Sequence, residues 1–432
     1  MQLELRMNKK IWSSKRNKGL KAIDDFLSGN DIDLDKNLFI YDIKASIAHV
    51  NGLKDIKILS SSESRKIIKC LKDLNKKFIS NKFKLTNKYE DCHSAIEFYL
   101  TKELGETGKK IHTGRSRNDQ IQVALRLYAK DNLKNINKIN KRIAKTFLQY
   151  AKKYHDLPMP GYTHLQRAMP STWGLWFSSF AEAFIDNYDL NSSTIDWIDS
   201  NPLGTAAGYG VDIPLNRKMV TKELGFKRIQ LNSLYVQNSR GKYEMQIINS
   251  LKQSMLDIRK FAWDMSLFLS QEFNLLTIGD IYLTGSSIMP NKKNPDVIEI
   301  MRGNYSIIAG NYSELENLLS LPTGYHRDLQ ITKKSLISSF KITEKTLELI
   351  PDLVRSIKIN KKRSLEFIDD EMMMTSQVYE LVSKGMPFRD AYQAVKDSKG
   401  KLQISKKNIT NSSSGSPKNL NLEILEKRLN GK

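Results

Sequence analysis

From Ile248 onward, apolar residues recur every three or four positions: Leu251, Met255, Ile258, Ala262, Met265 and Leu269. A second run repeats the pattern through Ile298, Met301, Tyr305, Ile308, Tyr312, Leu315 and Leu319, and stops short of Pro322. A period of about 3.5 residues keeps one apolar seam facing its neighbours over many turns, as helices packed nearly parallel in a bundle require. Similar patterning predicts helices over roughly 119–154, 172–198 and 332–357, while strand signals are weak and short. The expectation is an all-α fold, a long central helical bundle with smaller helical N- and C-terminal domains. Its divisions fall at 1–110 (N-terminal helical domain), 111–360 (central bundle) and 361–432 (C-terminal helical domain with a polar tail). Asn411 to Lys418 reads as a linker or disordered turn, within a Lys-, Ser- and Asn-rich run over 399–418.

Composition narrows the function classes. The chain has 432 residues, 40% hydrophobic and 27% charged, which suits a water-soluble protein with a large core. No apolar run approaches a membrane span, and Met1 to Lys10 lacks the pattern of a signal peptide. Cys70 and Cys92 are the two cysteines, and neither sits in a C-x-x-C pair, so a reducing, cytoplasmic setting is expected. The formal charge of +22 comes from lysines spread along the whole chain rather than from a basic module interleaved with aromatics. A positive field that draws in anionic substrates follows from it; nucleic-acid binding is not expected.

The chemistry lies in the segments between the predicted helices: 107–118, 158–171, 201–217 and 279–296. The densest is Gly285-Ser286-Ser287-Ile288-Met289-Pro290-Asn291-Lys292-Lys293-Asn294-Pro295. Gly285 loosens the backbone, Asn294 is placed to cap a helix, and Pro295 to take its first position. A polar loop entering the positive end of a helix suits a carboxylate or a developing oxyanion. An ordinary polar loop ahead of a helix would read the same. His164, with Thr163, follows a Pro/Gly break and suits proton transfer near neutral pH. Glu299, one turn into the next helix, is a candidate to orient it, or simply a favourable acid in a first turn. Ser116, Arg117 and Asn118 open a long helix, where arginine offers a planar fork for carboxylates. Tyr325, Gln330 and Lys333 form another polar group. Glu90-Asp91-Cys92-His93 lacks a second ligand pair, so no metal is expected. The glycines of Asn201–Gly210 spell no nucleotide-binding fingerprint, and no cofactor is expected.

Together these motifs resemble the fumarase/aspartase superfamily through Gly285 to Pro290 with Lys292, Asn294 and Pro295. Within it, His112 to Gln120, Gly161 to Arg167 and Gly385-Met386-Pro387-Phe388-Arg389-Asp390-Ala391 are similar to the argininosuccinate lyase branch. Tyr41-Asp42-Ile43 with Ser46-Ile47-Ala48-His49 fits as well, and the match runs from about Trp12 to about residue 398. The resemblance implies a homotetramer with a twenty-helix core and sites shared between subunits. It implies reversible cleavage of argininosuccinate to arginine and fumarate, the last step of arginine biosynthesis, without cofactor. Ser286 would be the base, Lys292 and Asn294 would hold the carboxylate that gathers charge, and His164 with Glu299 and Thr163 would serve proton transfer. Ser116, Arg117, Asn118, Tyr325, Gln330 and Lys333 would bind substrate, with His93 and Arg240 in secondary positions. Fumarase, aspartase and adenylosuccinate lyase share the serine loop, and a catalytically idle structural member would share the fold. Two departures stand out. Where the family commonly has Phe-Asn-Ala-Ser, the chain has Phe26-Leu27-Ser28-Gly29-Asn30, so a substrate-contacting serine is displaced or missing, with Ser28 as a possible stand-in. The tail beyond about residue 398 shows little resemblance.

Overall fold

The structure, a computed structural model, describes residues 26, 29–86, 88–398, 409 and 411–431. Trp12, Leu27 and Ser28 lie outside the described residues, as does most of the polar run over 399–410. Among the described residues five helices exceed twenty residues: α1 Arg117–Lys153, α2 Trp173–Ile198, α3 Lys242–Phe268, α4 Asp296–Leu318 and α5 Thr332–Ser356. The periodic seams are the buried faces. Leu251, Met255, Ile258, Ala262 and Met265 on α3 are fully buried, as are Ile298, Met301, Ile308 and Leu315 on α4. Leu269 falls just past the end of α3 and is half-buried. None of the described helices is long and apolar enough to cross a membrane.

The chain forms two compact units. The first comprises Met1–Lys134, Ser192–Asn249 and Gly310–Phe340. Its helices Phe39–Asp55, Ser61–Ile79 and Cys92–Leu104 enclose a core of Phe39, Ile43, Val50, Leu53, Ile67, Leu71, Leu74, Ile96 and Leu100. Ser60 and Glu63 form a capping box that starts the second of these helices. Ala45, Ala48, Val123, Leu127, Val220 and Phe226 make a second cluster, which seats the first of them against α1.

The second unit comprises Asn135–Asn191, Ser250–Ala309 and Lys341–Lys432. Phe147 of α1 sits within 5.4–6.3 Å, ring to ring, of Phe177, Phe180, Phe184 and Phe261. Residues 158–171, expected as a loop, instead pair as an antiparallel hairpin, β1 Pro158–Thr163 with β2 Gln166–Thr172. Its proline-rich strands suit an isolated ladder, where few backbone N–H groups must be shared. The register slips at Gly161, and there a Cβ would lie 2.6 Å from the Met169 carbonyl. Asn411 to Lys418, expected as a linker, closes instead into a compact turn: Gly415 N–H donates to the Asn419 carbonyl and Lys418 N–H to that of Asn411. Ion pairs anchor the segment that follows, through Lys418 to Asp156 (3.2 Å) and Arg428 to Asp186 (2.6 Å).

Candidate active site

Within the first unit a cavity of about 420 Å³ opens where the start of α1 meets the N-terminal helices and the segment ahead of α5. Ser116, Arg117 and Asn118 enter it from the start of α1, and His93 from the first turn of Cys92–Leu104. Arg240, Tyr325, Gln330 and Lys333 complete the predicted residues that line it. Eight of the predicted site residues, scattered over more than two hundred positions, therefore converge on one space.

Four of these groups are held by carboxylates. Arg117 donates to Asp91 Oδ2 at 2.8 Å and lies 3.1 Å from Glu90 Oε2. Lys333, almost fully buried, is 2.6 Å from Asp35 Oδ1 and 3.0 Å from Asp31 Oδ1. Burial alone would lower its pKa, but the two carboxylates outweigh it and hold the ammonium above its ordinary value. Gln330 donates to Asp31 Oδ2 at 2.6 Å. His93 Nδ1 is bonded at 2.6 Å to Asp42 Oδ2; burial opposes the imidazolium, yet the Asp42 charge raises the pKa above its usual value. Arg240 is buried beside Tyr325, its guanidinium carbon 5.3 Å from the ring centre, and has no carboxylate paired with it among the described residues. At the start of α1, buried Asp119 accepts the backbone N–H groups of Ser116, Gly204, Thr205 and Ala206, tying the 201–206 loop to this corner.

Cys92 Sγ, Asp42 and His93 come within 4.8 Å of one another, a spacing that a metal could exploit. Burial, however, pushes the Cys92 thiol far above its usual range, and His93 and Asp42 already satisfy each other. The trio is chemically a hydrogen-bonded His–Asp pair with a neutral thiol beside it.

The six remaining predicted residues belong to the second unit, and none lines this cavity. Thr163 and His164 are exposed at the tip of the hairpin. His164 and Leu165 both take positive φ, +55° and +59°, as a two-residue type I′ turn requires. For such side chains that conformation costs on the order of 1 kcal/mol. Ser286 lies in the predicted loop, pinched at its base by pairing of Thr284 with Asn294 and Gly285 with Lys293. Its Oγ accepts the backbone N–H groups of Met289 at 3.0 Å and Ile288 at 3.3 Å. Two such donors stabilise negative charge on that oxygen. Lys292 is exposed with no paired carboxylate among the described residues, and Asn294 is half-buried beneath the loop. Pro295, rather than Asn294, is the cap of α4: its carbonyl accepts the N–H of Ile298. Glu299 faces Arg302 at 4.0 Å, and no described hydrogen bond joins it to His164 within the chain.

Asp31 and Asp35 escaped the sequence reading. Their spacing of four on a short helix places both carboxylates on one face, the signal that points to them.

A sequence model of the family described as Lyase matches residues 5–310. An argininosuccinate lyase of Xanthomonas oryzae pv. oryzae (strain PXO99A) is 49% identical over 372 residues, 86% of either chain. One from Xanthomonas campestris pv. campestris (strain B100) is 46% identical over 94% of this chain and 95% of its own. The chain belongs to the argininosuccinate lyase family. The fold is that of the wider fumarase/aspartase superfamily. A class II fumarase from Schistosoma mansoni superposes with a TM-score of 0.73 at 16% identity, covering 87% of this chain and 88% of that one. An EDDS lyase in complex with formate gives 0.73 at 24% identity over 86% and 74%. Likeness to an argininosuccinate lyase thus runs along nearly the whole chain, through both the cavity segments and the serine loop.

Proposed function

We propose that this protein is a cytoplasmic argininosuccinate lyase that cleaves argininosuccinate reversibly to L-arginine and fumarate, the last step of arginine biosynthesis. The observation that carries the reading is the match, along 94% of the chain, to a relative bearing that name. In the anti-elimination, Ser286 Oγ takes a proton from the carbon beside a carboxylate. That C–H electron pair becomes the new double bond as the C–N bond breaks, and the leaving guanidinium nitrogen receives a proton. No oxidant or reductant is consumed, so the balance needs no cofactor. Charge passes transiently onto the substrate carboxylate, which Lys292 and Asn294 would hold, and the paired N–H groups on Ser286 make its deprotonated form accessible. Thr163 and His164 at the hairpin tip would supply the proton to the leaving nitrogen, with Glu299 orienting the imidazole. Ser116, Arg117, Asn118, His93, Arg240, Tyr325, Gln330 and Lys333 would bind substrate in the cavity they line.

In this reading the working enzyme is a homotetramer with sites shared between subunits. Apolar side chains left open along the long helices support it: Trp263, Ile300, Ile307 and Leu349 are between 44% and 65% exposed. Fumarate absorbance with argininosuccinate, malate, aspartate and adenylosuccinate run in parallel tests the reaction. Product from argininosuccinate alone supports it; product from another substrate moves the chain to a sister activity, and silence from folded protein refutes catalysis.

A further inference from the structure

Residues three, seven and eleven positions along a helix share a face with the first, and in a bundle that face is ordinarily an apolar seam. At the start of α1 one such face reads Asp119, Gln122, Arg126 and Lys130, four polar side chains, all buried. Each ties α1 to the segment that follows α2. Asp119 holds the backbone N–H groups of 204–206, and Gln122 Nε2 donates to Gln237 Oε1 at 3.2 Å. Lys130 meets Asp199 and the Gly225 carbonyl. Arg126 Nη1 donates to the Ser200 carbonyl at 2.8 Å, to Ser200 Oγ at 2.9 Å and to Gln230 Oε1 at 3.2 Å. Its guanidinium carbon lies 4.0 Å from the Tyr243 ring centre, and no carboxylate is paired with it among the described residues. A buried network bonded in this way rigidifies the segments it joins.

The arm through Arg126 leads to the cavity. Arginine carries only donors, so the Gln230 amide must turn its oxygen toward Arg126 and its nitrogen away. That nitrogen donates to Ser239 Oγ at 2.7 Å and more weakly to the Tyr235 carbonyl at 3.5 Å. Ser239 Oγ in turn donates to the Val236 carbonyl at 3.0 Å. The next residue is Arg240, whose N–H bonds the Gln237 carbonyl at 3.1 Å and whose side chain lines the cavity. Gly241 then takes a φ of +84°, where a Cβ would collide with Leu319. Arg240 Nε has no hydrogen-bond partner among the described residues. The place of this cation is therefore set by the turn beneath it and by the ring of Tyr325, not by an acceptor of its own.

Resting on the function proposed above, we infer that Gln230, oriented by Arg126, is a positioning residue for the reaction: it acts through Ser239 on Arg240 and holds that cation at the cavity wall for a substrate carboxylate.

Gln230→Met removes the amide at nearly equal length, and Ser239→Ala cuts the same bond from the side of the turn. In either variant kcat/KM for argininosuccinate falls about 10- to 100-fold, mostly through KM, because the contact disturbed is a binding one. A double-mutant cycle with Arg240→Met is the deciding measurement. A residue that acts through Arg240 costs nothing further once Arg240 is gone, whereas a merely structural role adds its loss in full. Wild-type kcat/KM in both single variants overturns the role, and so does full additivity with Arg240→Met. Should wild type release no fumarate, the function fails separately. Crystal structures of unliganded wild type, Gln230→Met and Ser239→Ala then decide the role: an Arg240 guanidinium displaced from Tyr325 in the variants supports it, and an unmoved one refutes it.

Discussion

Lys333→Met breaks the most deeply buried charge network of the cavity, and its cost follows from the contacts. Methionine matches the length and shape of the lysine stem, so little packing is lost. What remains is Asp31, still bonded to Gln330 at the cavity wall, and the Asp35 carboxylate, stranded fully buried with one N–H from Cys92 and no cation. Removing one partner of a buried pair costs about 3–5 kcal/mol, because the other charge is left uncompensated. That is a large share of the roughly 5–15 kcal/mol that holds a typical domain together. Adding Asp35→Asn removes the stranded charge while an amide oxygen can still accept the Cys92 N–H. The double variant should therefore recover about half or more of the loss. Urea unfolding followed by circular dichroism, at one fixed protein concentration, measures both. Activity gives an independent reading: it stays low in the double variant, because the ammonium itself is absent. A single-variant loss under about 1 kcal/mol, or a double variant as unstable as the sum of the singles, would refute the argument.

Three further outcomes are expected. The His93–Asp42 pair makes stability depend on pH in a defined direction. Because His93 is held above its ordinary value, near 6.5, its contribution is full below that pH and fades as pH rises through the folded value; Asp42→Asn should flatten this slope in thermal melts. His49, which burial holds well below 6.5, acts in the opposite sense and in a separate window, costing stability as pH falls below about 6.5. Ser286→Ala should lose nearly all turnover yet still bind substrate by calorimetry, since the residue moves a proton and supplies little affinity; wild-type-like turnover would remove Ser286 from the mechanism. Finally, His164→Asn and Lys292→Ala, each inactive alone, should regain part of the wild-type rate when unfolded together and co-refolded, and absence of any recovery counts against shared sites.

The limits of the sequence reading follow particular residues. The long helices were legible because a helix seam is a local repeat: α1 and α5 start and end within two residues of the predicted spans. The serine loop was legible for a similar reason, its Gly, Ser and Pro being adjacent in the chain. The hairpin at 158–172 was not, because its prolines read as a break while pairing between the two strands decided the structure. Likewise Asn411 to Lys418 looked like a linker by composition, and its turn exists through hydrogen bonds that composition does not encode.

The candidate site divides along the same line. Residue types marked Ser116, Arg117, Asn118, Tyr325, Gln330 and Lys333 as polar groups, and it was the resemblance of their motifs to a known family that nominated them for substrate. Which carboxylates answer those cations was decided by tertiary structure alone. Asp35 meets Lys333 across 298 positions, and Asp42 meets His93 across 51. Periodicity reports only which face of a helix avoids water. The packing of one face on another selects the partner of a buried charge, since leaving that charge unpaired would cost several kcal/mol.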